Sequence, residues 1–358
     1  MDGVGLFLVD QQCYDSAERL DRMPLMRFHR WTLLIPILLL SWPAFLSSAT
    51  PEETAKSYFE EGVDLNNQRR FDEAIDKLTK AVRLSPENAR YHQALFTTYL
   101  ATRQGLKAIE VYKGLTREFP DSPAMHYWLG RLYLQSQSFD DAAQEFLQAT
   151  RLAPKDEHAW ISLGHVYYRQ GKDEEAMKAY QEANQLSPKV AVVHAGIGNL
   201  YLKKKDYPKA EKEFEEALRI DPSLTEVRYN ISIVYVKKGE ISKAMKQWQA
   251  ILEDDPNESD AREQLARAYF QRKQYADAVK EYSTLSLVRQ ESPAVFMALG
   301  ESQIMLAETL EDTDNKKKLK DSAVQSFQRV LELDPKNEQA RRYLDRLKPK
   351  DQPAPSPK

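Results

Sequence analysis

Apolar residues recur at intervals of three and four along most of the chain, with polar residues between them. This spacing places the apolar side chains on one face of an α-helix. A representative face carries Trp160, Leu163, Gly164, Tyr167 and Tyr168. A polar segment at 169–173 interrupts the pattern before a second helical stretch begins. The pattern therefore predicts short helices joined by polar turns.

This helical pattern repeats with a period of 34 residues. Prolines mark the period at Pro86, Pro120, Pro154, Pro188, Pro222 and Pro256. Small residues share one phase (Ala74, Ala108, Ala142, Ala176, Ala210 and Ala244) and mostly aromatic residues share another (Leu78, Tyr112, Phe146, Tyr180, Phe214, Trp248 and Tyr282). Small residues let two helices approach, large ones fill the space between helices, and proline ends a helix. The fixed period predicts a solenoid of stacked helix pairs.

Residues 157–190 carry the fullest set of repeat positions, namely Trp160, Leu163, Gly164, Tyr167, Ala176, Tyr180, Ala183 and Pro188. On these residues the chain resembles the tetratricopeptide repeat (TPR) family, over about 55–348. The resemblance implies an all-α, right-handed α-solenoid of about eight helix hairpins. The implied repeats are 55–88, 89–122, 123–156, 157–190, 191–224, 225–258, 259–292 and 293–337. An amphipathic stretch at 338–348 is predicted to form a C-terminal capping helix, and the proline-rich residues 349–358 a disordered tail.

Three departures from the repeat pattern predict local differences in structure. Phe96 replaces the small residue of a first helix, so that helix pair must be splayed or locally repacked. The seventh repeat lacks its closing proline in phase, and Pro293 comes three residues late. About eleven extra residues around 306–316 lengthen the eighth repeat, which predicts a long projecting hairpin with its tip at 312–315.

The N-terminal segment is predicted to be a targeting sequence and not part of the solenoid. An apolar run at 31–46 follows Arg27 and Arg30, and small residues at 47–49 end it. This order is typical of a secretory signal at 1–49, with the true start at Met23 or Met26. We therefore expect an exported protein of the periplasm or cell envelope. An uncleaved membrane anchor at 31–46 is the alternative.

Composition and motifs give no indication of catalysis. The chain has 51 Lys and Arg against 54 Asp and Glu, a balance that argues against a nucleic-acid-binding protein. It has one cysteine, Cys13, and none of the common nucleotide-binding, hydrolase or metalloprotease motifs. His158 and His165 are seven residues apart without an evident third ligand, so no metal site is expected. We predict no enzyme activity, no cofactor and no small-molecule substrate.

The TPR resemblance implies that ligands contact the concave side of the solenoid, which the first helices of the repeats line. In repeats 3–6 the candidate groove residues are Tyr127, Trp128, Arg131, His158, Ile161, His165, Tyr168, Asn199, Leu202, Tyr229, Asn230 and Ile233. They form an apolar and aromatic set with a few amides, and such a set facing water would mark a binding surface. Chaperone-binding TPR proteins use a carboxylate clamp, but the basic positions of that clamp hold Ala195, Asp260 and Gln264 here. We therefore expect no chaperone-tail binding.

The sequence accordingly predicts a non-enzymatic scaffold that binds a helical or extended segment of a protein or peptide partner in the groove of repeats 3–6. One alternative is a membrane-anchored assembly factor that positions cell-envelope enzymes, in which case residues 31–46 contact the membrane. A further alternative is a glycan-binding accessory protein. Nucleic acid is not an expected partner.

Overall fold

The structure, a computed structural model, describes residues 50–347. Within that range it contains seventeen α-helices and no β-strand. The helices are α1 (Pro51–Asn67), α2 (Phe71–Leu84), α3 (Ala89–Ala101), α4 (Gly105–Glu118), α5 (Pro123–Gln135), α6 (Phe139–Leu152), α7 (Glu157–Arg169), α8 (Asp173–Leu186), α9 (Ala191–Lys203), α10 (Tyr207–Ile220), α11 (Thr225–Lys238), α12 (Ile241–Asp254), α13 (Ser259–Gln271), α14 (Tyr275–Val288), α15 (Pro293–Thr309), α16 (Thr313–Leu333) and α17 (Glu338–Leu347). The predicted signal or anchor at 1–49 and the predicted tail at 349–358 lie outside the described residues.

The described residues divide into two compact units between Leu200 and Tyr201, and the division falls inside α9. Consecutive helices pack against each other from α1 to α8 in the first unit and from α10 to α17 in the second. This succession of helix pairs confirms the predicted all-α solenoid of hairpins.

Small residues of first helices face large residues of second helices, as the repeat phases predicted. A Cβ atom on Gly130 would lie 2.9 Å from the Phe146 ring, and one on Gly62 would lie 2.8 Å from Leu78. The ring of Tyr180 is enclosed between two glycines, since added Cβ atoms on Gly164 and Gly196 would approach it to 2.8 and 2.5 Å. Such distances are shorter than real carbon contacts, so these positions require glycine for the two helices to pack.

The helix pair that contains Phe96 is open, as the sequence predicted. The backbones of α3 and α4 approach each other over a shorter stretch than those of any other hairpin within a unit. Trp128 of α5 is packed against this pair: its ring centroid lies 5.4 Å from that of Phe96 and 5.7 Å from that of His92. Phe96 is 6% exposed and Trp128 is 1% exposed. The aromatic side chain therefore keeps the helices apart, and a residue from the next hairpin packs against it.

The six in-phase prolines, together with Pro335 before α17, have a second role that the sequence did not reveal. A side chain six residues after each proline donates a hydrogen bond to the prolyl carbonyl oxygen. The pairs are His92 to Pro86 (2.7 Å), His126 to Pro120 (3.0 Å), Trp160 to Pro154 (3.0 Å), His194 to Pro188 (3.1 Å), Arg228 to Pro222 (2.8 Å), Arg262 to Pro256 (2.5 Å) and Arg341 to Pro335. Carbonyl groups beyond a helix end have no intrahelical donor, so this side chain supplies one.

In the repeat without an in-phase proline, a residue of another helix donates the equivalent hydrogen bond. Gln290 occupies the proline position and Phe296, six residues later, has no donor. Arg329 of α16 donates to the Gln290 carbonyl oxygen instead, at 3.3 Å, and its guanidinium lies 5.9 Å from the Phe296 ring centroid. The acceptor is therefore satisfied although the local sequence pattern is lost.

The last hairpin consists of the long helices α15 and α16, and the turn between them spans 310–312. The predicted tip at 312–315 was placed too late, because the carboxylate of Asp312 accepts from the backbone N–H groups of Asp314 and Asn315 and so starts α16 at Thr313. The segment predicted to cap the array forms α17, and its Tyr343 ring stacks on Phe327 at 4.7 Å between centroids.

Candidate functional site

Four of the predicted groove residues are buried in the first unit. Tyr127, Trp128, Arg131 and Ile161 are 8%, 1%, 6% and 6% exposed. The expectation that they face water is wrong for these four side chains, because neighbouring helices cover them. Trp128 packs against Phe96 and His92, and Tyr127 lies 5.7 Å from the Phe146 ring centroid. These aromatic residues belong to the core between hairpins.

Arg131 is buried as a cation between aromatic faces. Its guanidinium carbon lies 4.6 Å from the ring centroids of both Phe96 and Trp128, and it donates a hydrogen bond of 3.4 Å to Gln93. A weakly hydrated planar guanidinium tolerates such stacking better than an ammonium group would. Arg131 therefore stabilises the opened hairpin.

The remaining candidates in the first unit are half-buried. They are His158, His165, Tyr168 and Asn199. The carboxylate of Asp156 accepts from the backbone N–H of His158 at 3.0 Å and caps α7. Burial raises the pKa of this carboxyl group above its usual value. Among residues 50–347 no group of His, Cys, Asp and Glu side chains is arranged to hold a metal ion.

In the second unit, α11 carries apolar residues on two opposite sides. Val227, Ile231 and Val234 are 4%, 1% and 0% exposed and form the packed side. Ile233 and Val236 are 44% and 41% exposed and lie one turn apart on the other side. A helix that is apolar all round is normally enclosed, so the open side of α11 lacks a covering element within this unit.

Polar groups flank the open side of α11. Tyr229 and Asn230 of α11 are half-buried, and so is the apolar candidate Leu202 of α9. The Tyr229 hydroxyl donates to Glu258 at 3.0 Å, and burial together with the Glu258 charge raises the pKa of Tyr229 above its usual value. The phenol is therefore neutral and its ring is held in place by this bond. Tyr229, Asn230, Ile233 and Val236 together form the α11 surface.

The acidic residues next to the α11 surface are paired. Arg289 forms a salt bridge with Asp260 and another with Glu263, the latter at 2.6 Å, and Arg267 approaches Glu263 to 3.1 Å. In the sequence, Asp260 holds a position that is basic in the clamp of chaperone-binding TPR proteins. Arg289 offsets that charge, so the α13 side of the surface is an ion-pair network and not a bare acidic patch.

The sequence contained a signal for the α11 surface that groove positions alone did not isolate. Residues 231–236 read ISIVYV, with five apolar residues in six. This run lacks the polar gaps of an amphipathic helix with one buried side. That run predicts a second apolar side of α11 that includes Val236. Tyr127, Trp128 and Ile161 also occupy groove positions, but their side chains are buried.

None of the helices within 50–347 has the length and apolar character needed to cross a bilayer.

Two family models, both described as tetratricopeptide repeat, match the chain. One matches 94–157 and 131–191, and the other matches 201–260 and 248–301. Together the matches cover more than half of the chain. No curated protein matches it.

Solved structures with similar folds are also tetratricopeptide repeat proteins. The C-terminal part of a TPR repeat-containing protein from Cytophaga hutchinsonii is 23% identical, with a TM-score of 0.56 over 71% of this chain and 98% of that chain. YrrB, described as a TPR protein with an unusual peptide-binding site, is 20% identical, with a TM-score of 0.47 over 56% of this chain and 97% of that chain. The periodic prolines, the glycine–aromatic contacts and the two matching family models together show that this chain belongs to the tetratricopeptide repeat family.

Proposed function

We propose that this protein is a non-enzymatic scaffold that holds a segment of a partner protein against the α11 surface. Tetratricopeptide repeat proteins generally mediate protein–protein interactions, and the repeat is typically non-catalytic. The observation that carries the proposal is the exposure of Ile233 and Val236, one turn apart, on a helix whose other side is already packed.

The chemistry of the α11 surface favours a partner segment with aliphatic or aromatic anchors. Ile233 and Val236 offer stiff, β-branched contacts that lose little side-chain freedom on binding. The Tyr229 ring is oriented by its bond to Glu258 and adds aromatic area, which contributes strongly to interface energy. The Asn230 amide carries donor and acceptor groups suited to a peptide backbone.

The proposed site is narrower than the groove predicted from the sequence. The four buried residues of the first unit are left out because a ligand could reach them only by opening the core. His158, His165, Tyr168 and Asn199 stay predictions as partner contacts. The glycan alternative loses support, since Trp128 is 1% exposed and the Trp160 indole N–H already donates to Pro154 at 3.0 Å. Export and membrane tethering stay predictions from residues 1–49.

Site-specific photo-crosslinking in cells tests where a partner binds. A photoreactive phenylalanine analogue at position 233 should give a protein adduct whose crosslinked segment contains apolar anchors. The matched control is position 287, because Leu287 is 72% exposed in the same unit but lies on α14. Equal crosslinking from both positions would show only nonspecific apolar contact.

A synthetic peptide of the crosslinked segment then measures the contribution of the α11 surface. Ile233→Glu should raise the dissociation constant by more than about tenfold, because a charge would be buried against an apolar anchor. Leu287→Glu should leave it unchanged, and circular dichroism should show the same helix content in both variants. Unchanged affinity in Ile233→Glu would disprove the proposed site.

A further inference from the structure

One edge of the second unit carries far more basic than acidic residues. Three segments in the same repeat phase, 203–212, 237–246 and 271–280, contain the turn of a hairpin and the start of its second helix. They hold twelve basic residues (Lys203, Lys204, Lys205, Lys209, Lys212, Lys237, Lys238, Lys243, Lys246, Arg272, Lys273 and Lys280) and four acidic ones (Asp206, Glu211, Glu240 and Asp277). The four equivalent segments of the first unit, 67–76, 101–110, 135–144 and 169–178, hold seven basic and nine acidic residues. The excess is therefore a property of the second unit and not of the repeat.

The three segments form one continuous surface, called the basic edge below. Lys238, the last residue of α11, forms a salt bridge with Glu211 of α10, and Lys243 of α12 reaches the same carboxylate at 3.1 Å. Arg272, in the turn after α13, donates to the Ser242 hydroxyl of α12 at 2.5 Å. Segments 237–246 and 271–280 thus each contact the second helix of the hairpin before them.

Internal ion pairs leave most of this charge uncompensated. Asp206 pairs with Lys209 at 2.9 Å, and Glu240 pairs with Lys238 at 2.8 Å and with Lys243 at 2.7 Å. In the described part of the chain, no ion pair involves Lys204, Lys205, Lys212, Lys237, Lys246, Lys273 or Lys280, and all seven side chains are exposed. Seven unpaired ammonium groups on one edge of three hairpins produce a local positive potential in a chain whose net charge is −3.

The composition of the basic edge indicates the kind of partner. Eleven of its twelve basic residues are lysines, which act as hydrated point charges, whereas nucleic-acid and phosphate sites favour the bidentate guanidinium of arginine. The lysines lie on turns and helix ends instead of around a cleft, so no single anion is enclosed. Tyr207, Ile241 and Tyr275 are the half-buried first residues of α10, α12 and α14. The two tyrosines have an apolar ring with a polar hydroxyl and suit a boundary between water and apolar chains.

We propose that the basic edge docks this protein onto the surface of a membrane that contains anionic lipids. Each lysine near such a surface contributes attraction to the headgroups, and the contributions of many lysines accumulate without a defined pocket. The half-buried aromatic and aliphatic side chains between the turns contact the headgroup region. The α11 surface and the basic edge share no residue, and the two proposals rest on different observations.

Vesicle co-sedimentation of the full chain tests this docking. Phosphatidylcholine vesicles are compared with vesicles in which roughly a third of the lipid is phosphatidylglycerol. We expect preferential binding to the anionic vesicles, and this preference should disappear at high salt because screening shortens the range of the charges. Comparing the two vesicle types removes any contribution from the apolar run at 31–46, whose insertion does not require anionic lipid.

A charge-neutral variant of the edge identifies the residues. Lys204, Lys212, Lys237 and Lys246 are replaced together by glutamine, and the control replaces Lys56, Lys155, Lys189 and Lys336, which are equally exposed elsewhere. The edge variant should bind anionic vesicles more than about tenfold more weakly, and the control should bind like the unmodified chain. Equal weakening in both variants would overturn the proposal, as would unchanged binding of the edge variant. Binding to polyglutamate or duplex DNA, without binding to anionic vesicles, would assign the edge to a different partner and overturn it as well.

Discussion

At the residue scale, the fourth position of the first helices shows how one geometric requirement is met by different side chains. Histidine, tryptophan and arginine all donate to the prolyl carbonyl oxygen six residues earlier. What differs is the environment of each donor. His92 is fully buried and its second ring nitrogen lies 3.0 Å from the Tyr112 hydroxyl, whereas His126 lies 2.7 Å from the Glu145 carboxylate. The two histidines therefore respond to pH in opposite directions.

His92 is expected to make the fold sensitive to acid. Burial lowers the pKa of His92 to about 4, against an ordinary value of 6.5 in the unfolded chain. The contribution of neutral His92 to the free energy of unfolding is fully present above pH 6.5 and is lost as the pH falls towards 4. The total loss is roughly 3 kcal/mol. In His92→Gln, which keeps a donor for Pro86, the free energy of unfolding should depend less on pH across this window. Urea unfolding at pH 7.5 and pH 4.5 measures the difference.

His126 is the matched control with the opposite sign. The hydrogen bond that protonated His126 donates to the Glu145 carboxylate raises the pKa of His126, so its contribution is fully present below pH 6.5 and fades as the pH rises through the folded-state value. His126→Gln should therefore destabilise the protein more at pH 5.5 than at pH 8. The same pH dependence for both variants would show that the carbonyl bond, and not the charge state, determines the effect.

At the element scale, the α3–α4 hairpin departs from the residue that the repeat pattern favours. Glycine occupies the equivalent of position 96 in four other repeats, at Gly62, Gly130, Gly164 and Gly198. In this hairpin the Phe96 ring supports Trp128 and the Arg131 guanidinium. Restoring glycine would remove that support and leave a cavity beside a buried cation.

We expect Phe96→Gly to destabilise the protein by about 3–5 kcal/mol, although it restores the residue that the repeat pattern favours. Phe139→Ala is the control, because Phe139 is half-buried beside Arg169 at the start of α6 and should cost about 1–2 kcal/mol. Thermal unfolding followed by circular dichroism measures both. A gain in stability for Phe96→Gly would mean that α3 and α4 close into an ordinary hairpin and that Trp128 repacks.

Elements also differ in how well the sequence located them. Helix pairs, the opened hairpin and the lengthened last hairpin followed from local spacing, because each depends on contacts between neighbouring stretches of chain. The predicted tip of the last hairpin was placed too late, because the Asp312 cap starts α16 at Thr313. This hydrogen bond lies within one turn, and periodicity does not detect it. The donor that Arg329 supplies to Gln290 was also missed, since these residues are 39 positions apart.

At the scale of the whole molecule, an array of hairpins has an end that must be covered. In the second unit α17 covers it: Ala340 is fully buried, and the Tyr343 ring stacks on Phe327 with an angle of 2° between ring planes. Phe327 is itself fully buried. Terminal elements with a polar outer side keep repeat arrays soluble, and the charged residues of α17 supply that side.

Tyr343→Ala should expose the Phe327 ring and lower stability by about 2 kcal/mol, because it removes an aromatic stack and uncovers apolar surface. Arg342→Ala is the control on the same helix. Arg342 pairs with Glu338 at 3.2 Å with both side chains largely exposed, so its loss should cost less than about 0.5 kcal/mol. Melting temperature and dye binding to exposed apolar surface distinguish the two. An unchanged melting temperature in Tyr343→Ala would show that α17 does not act as a cap.

The sequence by itself determined the repeat, the helix pairs and the family, because these depend on spacing along the chain and on contacts between neighbours. Only the tertiary structure decided which candidate groove residues are open. Trp128 and Asn230 occupy the same repeat position, yet one is sealed against Phe96 and the other lies beside the exposed Ile233. Exposure depends on whether a neighbouring hairpin fills the adjacent space, and that depends on side-chain volumes one repeat away, which a positional pattern does not contain.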